Sequence, residues 1–216
     1  MTPLAPGLFT VQAPQRFLGL EMGARMTVIQ TSQGLWVHSP IACDPASLGE
    51  LGEPRWVVAP NLFHHLHIGP WIERGGEGWC CPGLQAKRPD LRFAGTLQQT
   101  GQPFGEDILS IPLRCFPLSQ EVVFLHRPSR SLILTDLVFN IQAHAPFATR
   151  AAMFALWGYP GCSTTLLERV AMHRDLARQE LGALLELDFD RLILAHGAVV
   201  ETGGKRALTQ AFSWLW

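Results

Sequence analysis

Two short apolar runs, Arg55-Trp-Val-Val-Ala59 and Arg191-Leu-Ile-Leu-Ala195, constrain this chain most. Each is continuous rather than alternating, as expected of an interior strand covered on both faces. Each gives way to histidine. The first leads into Ala59-Pro-Asn-Leu-Phe-His-His-Leu-His-Ile-Gly-Pro-Trp71, which carries His64, His65 and His67; the second ends at His196-Gly197. A further pair of apolar runs, Glu121-Val-Val-Phe-Leu-His126 and Ser131-Leu-Ile-Leu-Thr-Asp136, flanks the polar turn Arg127-Pro-Ser-Arg130. That pattern is a hairpin, and its second strand ends at Asp136. Three strands therefore terminate in residue types that bind metals. In α/β folds sites gather at strand C-termini, where loops place side chains over a rigid sheet.

The remaining elements fit the same class. Residues 1–24, rich in Pro and Gly, read as an irregular lead-in, and residues 25–216 as a single domain. Arg25–Gln30 and Gly34–His38 form a hairpin turning at Thr31–Gly34. A short helix is expected over Ile68–Glu73, loops with short strands over 83–107, a strand over Ile108–Pro112 and a helix over Ala148–Trp157. Ser163 is the expected N-cap of one long amphipathic helix carrying Leu166, Val170, His173, Ala177, Leu181 and Leu184. A terminal helix follows over Lys205–Trp214. Strands, a hairpin, then helix–strand–helix indicate layered sheets and helices.

Composition narrows the partners. Charged residues make up 16% of the 216 and the net charge is −1, below the usual quarter of charged residues. This implies much buried surface, part of it at a homodimer contact. The scattered Lys and Arg provide no basic stripe for nucleic acid. No apolar stretch approaches the ~18 residues of a membrane span, and the first residues lack the basic n-region of a secretory signal. Five cysteines without a C-x-x-C argue against a disulfide framework or zinc ribbon, and for a reducing, cytoplasmic setting.

The metal-ligand candidates are His64, His65, His67, Asp136 and His196, with Asp136 and Glu121 as catalytic candidates and Asn61 or Glu121 orienting the ligands. Imidazole and carboxylate together suit Zn²⁺ or Fe²⁺. Each residue also has a structural reading: Asp136 as a loop cap, His196 as turn chemistry, Glu121 as a strand end. If the turn is 127–130, Glu121 falls beside Asp136 while His126 lies roughly 17 Å away at strand rise, which removes His126 from the set. His38, His144 and His173 read as structural.

At these residues the chain resembles the metallo-β-lactamase-like superfamily, and within it the DUF4336 branch. The resemblance covers residues 25–215. It rests on Gly34-Leu-Trp-Val-His-Ser-Pro40, the His64 segment with Gly69-Pro-Trp71, Glu121-Val-Val-Phe124, Leu132-Ile-Leu-Thr-Asp136 and Asp188-Phe-Asp-Arg-Leu-Ile-Leu-Ala-His-Gly197. It implies an αββα fold of two mixed sheets face to face with helices outside, and one or two metal ions along one edge. The metal motif departs from the family pattern H-x-H-x-D-H. If His65 and His67 supply its histidines, Gly69 and Pro70 replace its Asp and last His. If His64 leads, Leu66 and Ile68 occupy the next ligand positions. The Gly-His turn of active members is Cys115-Phe-Pro-Leu-Ser-Gln-Glu121 here, without histidine.

The resemblance therefore implies a degenerate site. One outcome is a mononuclear hydrolase of a small ester, thioester, lactone or phosphoester, holding one divalent ion (zinc or iron) through two early histidines with Asp136 and His196. The other is a non-catalytic binding or scaffold protein that keeps the fold without metal. A redox role using iron and Cys115 is a third.

Overall fold

A computed structural model of the chain describes residues 1–98 and 100–216. The chain opens with β1 (Thr2–Ala5), β2 (Leu8–Ala13) and a small hairpin of β3 (Arg16–Phe17) and β4 (Leu20–Glu21). Strands β5 (Ala24–Thr31), β6 (Gly34–His38) and β7 (Pro54–Ala59) follow, then helix α1 (Gly69–Glu73), β8 (Glu77–Cys80), α2 (Leu84–Lys87) and β9 (Gly95–Thr96). These strands make a seven-stranded mixed sheet in the order β1-β2-β5-β6-β7-β8-β9. It is antiparallel as far as β6 and parallel from β6 to β9.

The second sheet has four strands in the order β10 (Ile108–Pro112), β11 (Val122–His126), β12 (Ser131–Ile133) and β15 (Arg191–Ile193). Between β12 and β15 the chain forms β13 (Phe139–Ile141), α3 (Phe147–Ala155), β14 (Gly161–Ser163), α4 (Leu166–Ala171) and α5 (Arg174–Glu186); α6 (Gly204–Ala211) comes last. The β11–β12 hairpin pairs His126 with Ser131 and Phe124 with Ile133, the register that its turn demands.

The period-two alternation of β11 separates the layers. Val122 and Phe124 join the core that includes Trp36, Val58 and other residues of the large sheet, whereas Val123 and Leu125 join a second core. That second core contains Leu181 and Leu184 of α5 and Leu208 and Ala211 of α6. Helix α1 packs on β7 and β8. The result is an αββα sandwich. Trp56, Val57, Val58 and Ala59 of β7 are all buried, as its uninterrupted apolar run requires. Among the described residues no helix is long and apolar enough to cross a membrane.

Three expectations are corrected. The lead-in expected over residues 1–24 instead extends the large sheet, with β2 paired along β5 from Leu8–Ile29 to Ala13–Ala24. The long helix expected after Ser163 is two helices, α4 and α5. Thr165 caps α4, in a capping box with Glu168. The break falls at Met172, whose ψ of 142° is extended; the His173 N–H leaves the helical path to donate to Cys115 O at 2.8 Å. The terminal helix ends at Ala211 and is followed by a short 3₁₀ turn, Ser213–Leu215.

Candidate metal centre

The site forms where the loops after β7, β12 and β15 converge. His64 Nε2 lies 3.2 Å from Asp136 Oδ1 and 3.2 Å from His196 Nε2. His196 Nε2 lies 3.3 Å from Asp136 Oδ1. The structure thus brings together three of the five candidate ligands. His65 is buried but turned aside, with Nδ1 3.1 Å from Arg88 Nη1. Burial, and then the charges of Lys87 and Arg88, lower its pKa. His67 lines the cleft beside the cluster without joining it.

Local bonding explains why His64 turns inward. Asn61, fully buried, accepts the backbone N–H groups of Phe63 and His64 at 2.8 and 2.7 Å. That Asx-type geometry folds the loop tightly after β7. The amide of Asn61 then donates to Asp136 Oδ2 at 2.6 Å and Thr135 Oγ1 at 2.8 Å. Val122 N–H donates to Pro60 O at 2.8 Å, stitching the two sheets together beside the site.

Asp136 is held from behind by Glu121. The buried Glu121 carboxylate accepts Thr135 N–H at 2.6 Å and Asp136 N–H at 2.9 Å. Burial, and then the charge of Asp136, push its pKa up to about 7. It does not line the cleft, because both oxygens are turned into the sandwich. Burial opposes ionisation of Asp136 itself. The charge of His64, with hydrogen bonds from His196 and His64, outweighs that and holds the carboxyl well below its ordinary range.

Hydrogen bonding orients the His196 ring. Its Nδ1 lies 2.6 Å from Gly23 O, a carbonyl that only accepts. Nδ1 therefore carries a proton, and Nε2 is the nitrogen that faces the cluster. His64 Nδ1 lies 2.7 Å from Ser39 Oγ, whose hydroxyl serves as donor or acceptor. Gly197 has φ of +88°, and a Cβ there would collide with the Asn140 carbonyl. Only glycine lets the chain turn so sharply after His196. The buried guanidinium of Arg25 in β5 clamps this turn, donating to Leu194 O and, at 2.7 Å, to Gly197 O.

Sequence reasoning missed Ser39, Gly23 and Arg25. Ser39 was findable, since it follows β6 at the same edge. Gly23 and Arg25 act through a backbone carbonyl and a clamp on the backbone, which no spacing announces.

The donor set fits one small divalent ion. Nitrogen and oxygen ligands about 2.0–2.1 Å from a tetrahedral zinc lie about 3.3–3.4 Å from one another. The three observed separations, 3.2, 3.2 and 3.3 Å, match one face of such a tetrahedron. Each imidazole is oriented through its other nitrogen, the usual outer-shell arrangement of a metal-binding histidine. All three side chains also line a cleft of about 190 Å³. Cys115 is buried outside that cleft, and burial and Glu180 push its thiol well above its ordinary range.

Solved structures share this architecture. The DIM-1 metallo-β-lactamase matches with a TM-score of 0.72 and 12% identity over 100% of this chain and 97% of that one. A metallo-β-lactamase from Pontibacter korlensis gives 0.69 and 11% over 99% and 97%. The metallo-β-lactamase FIM-1 from Pseudomonas aeruginosa, in its mono-zinc form, gives 0.63 and 10% over 99% and 95%. No protein-family model and no curated protein matches the chain by sequence. At these identities the likeness is one of architecture: the chain has the metallo-β-lactamase fold.

Proposed function

We propose that this protein is a mononuclear metal-dependent hydrolase of a small ester, thioester, lactone or phosphoester, built on a degenerate form of the two-metal site. His64, Asp136 and His196 would hold the ion. The observation that carries this reading is the convergence of the Nε2 atoms of His64 and His196 with Asp136 Oδ1 within 3.3 Å. The two imidazole nitrogens and the carboxylate oxygen can each give a lone pair to one ion. A cation satisfies them together. The chemistry such an ion supplies is Lewis acidity and the acidification of water.

The chain's own residues do the rest. Ser39 and Gly23 fix the two imidazole rings, Asn61 and Glu121 fix the carboxylate, and the cleft admits the substrate. His67 lines the wall of the same cleft. The DUF4336-like assignment is supported by the sequence segments that carry it, and its incomplete motif by the placement of His65 against Arg88. A small-molecule partner and a reducing, cytoplasmic setting belong to the same proposal; free thiols at Cys43, Cys80, Cys81, Cys115 and Cys162 support the setting.

The alternative, a metal-free binding or scaffold protein, draws on the same contacts. The three side chains also stand at hydrogen-bonding distance and can satisfy one another through a single proton on His64. Elemental analysis of protein purified without chelators separates the two. The proposal expects about one zinc or iron per chain. It expects loss of that metal in His64→Ala, Asp136→Asn and His196→Ala, and retention in His65→Ala. Absence of metal binding in the parent protein, even after zinc or iron is supplied, would overturn it.

A further inference from the structure

The cleft beside the metal centre has walls of one kind. Phe17, Met22, Phe63, Leu66, Phe139 and Leu167 are among its lining residues, and no lysine or arginine lines it. Its acidic lining residues are Asp136 and Glu168, the latter bonded to Thr165. Lys87, at the end of α2, is engaged elsewhere: its Nζ donates to Leu62 O at 2.6 Å and lies 5.5 Å from the Phe63 ring centroid. Phosphoryl and carboxylate groups are normally met by arginine, lysine or clustered backbone N–H donors. A cleft without lysine or arginine leaves their charge to its histidines and to one metal ion already bound by a carboxylate.

The apolar wall also continues outward. Phe17 is 64% exposed, Leu66 60% and Leu167 58%, and all three are lining residues. Large apolar side chains held in water around a concave site mark a surface that a ligand covers. The cleft, of about 190 Å³, is open to solvent on one side. It accommodates a reacting carbonyl and a short stretch of chain, with the remainder lying on the rim.

We propose, resting on the hydrolase reading above, that the substrate is a neutral carboxylic ester, thioester or lactone with an unbranched apolar acyl chain, and not a phosphoester. The carbonyl sits at His64, Asp136 and His196, and the chain runs along Phe63, Leu66 and Leu167 toward Phe17. In the hydrolysis, the oxygen of water bonds to the acyl carbon and the bond from that carbon to the alkoxy or thiolate group breaks. One proton of the water leaves with the alcohol or thiol, and the acid product releases the other.

Two measurements test this. The first follows zinc-loaded protein with 4-nitrophenyl acetate, butyrate, hexanoate and octanoate, and with 4-nitrophenyl phosphate. Expected is a rise in kcat/KM of about fourfold per methylene as far as hexanoate, the equivalent of ~0.8 kcal/mol per buried CH₂. Phosphate turnover should be at least about a hundredfold lower than that of hexanoate. Leu167→Ser and Leu66→Ser, both at exposed positions, should flatten the chain-length dependence by lowering hexanoate turnover toward that of acetate.

The second measurement uses metal-free protein and follows binding of butanamide, hexanamide, octanamide and octanoate by NMR. The neutral amides should bind with affinity rising with chain length, and octanoate should bind at least about tenfold more weakly than octanamide. Chain-length-independent binding, or octanoate binding as well as octanamide, overturns the proposal whatever the esterase result. Length-dependent amide binding without hydrolysis of any ester overturns the hydrolase reading, while the preference of the cleft for a neutral acyl chain stands.

Discussion

Asn61 donates to Asp136 Oδ2 at 2.6 Å, across the junction between the two sheets. Its carbonyl oxygen at the same time accepts the N–H groups of Phe63 and His64. One buried amide therefore holds both the Asp136 carboxylate and the loop that turns His64 toward it. Asn61→Ala leaves those N–H groups without their acceptor and Asp136 Oδ2 without the Asn61 donor. Stability should fall by about 1–3 kcal/mol, read by urea denaturation. Zinc affinity should fall about 10- to 100-fold, as for other outer-shell partners of metal ligands, read by competition with a chromophoric chelator. Unchanged zinc affinity would show that the Asn61–Asp136 contact does not position the ligand.

Glu121 performs the matching task from within the sandwich. Its two oxygens accept two successive N–H groups, Thr135 and Asp136. Glu121→Gln retains the shape and one acceptor oxygen, but turns an NH₂ donor on the other N–H. A loss of about 1–3 kcal/mol is expected. Because Glu121 does not line the cleft, the pH profile of any hydrolysis should keep its shape, with kcat reduced through displacement of Asp136. A shift of the profile by a full pH unit would instead make Glu121 a proton-transferring group.

Much of this was legible in the sequence, for identifiable reasons. Strand ends located Asp136 and His196, because a continuous apolar run commits its next polar residue to the sheet edge. The turn Arg127–Arg130 placed Glu121 beside Asp136, because hairpin register follows from turn length. Which of His64, His65 and His67 faces the centre was not legible. They lie in a non-helical turn, so spacing fixes no common face, and the choice is made by the Asn61 side chain. The strands within residues 1–24 were hidden because Pro3, Pro6 and Pro14 suit edge and turn positions and read as loop. The α4–α5 break escaped because Val170, His173 and Ala177 keep helical spacing across it. The Thr165-x-x-Glu168 capping box was in the sequence and marks the start of α4 better than Ser163.

Arg25 connects the N-terminal strands to the His64–Asp136–His196 cluster. Its guanidinium is buried, which lowers its pKa to about 10, and it bonds two carbonyls that bracket His196. Arg25→Met keeps much of the volume while leaving both carbonyls without that donor. The His196 turn should loosen, with a stability loss of about 2–3 kcal/mol for hydrogen bonds to a charged group. Faster backbone exchange should be confined to residues 194–198, read by hydrogen–deuterium exchange. Exchange rising evenly across the chain would point to a general packing defect instead.

His38 sets a second pH dependence, governed first by its own burial. It is buried in β6, stacked 5.5 Å from Trp36 and edge-on 5.4 Å from Phe124. Neither ring nitrogen has a hydrogen-bond partner among the described residues. Burial, and then the nearby charge of His64, lower its pKa to about 3. The unfolded chain binds this proton near pH 6.5 and the folded chain does not. The stability contribution is therefore complete above pH 6.5 and is lost as pH falls from there toward 3. Between pH 7 and pH 5 the loss from this residue should be about 2 kcal/mol, at ~1.4 kcal/mol per pH unit below pH 6.5. His38→Phe keeps the aromatic stacking and removes the titration. Denaturant unfolding at pH 7, 6 and 5 should show the variant equal to or more stable than the parent at pH 7. Its advantage should widen by about 2 kcal/mol at pH 5. Parallel curves for the two proteins would mean that His38 takes up its proton in the folded state.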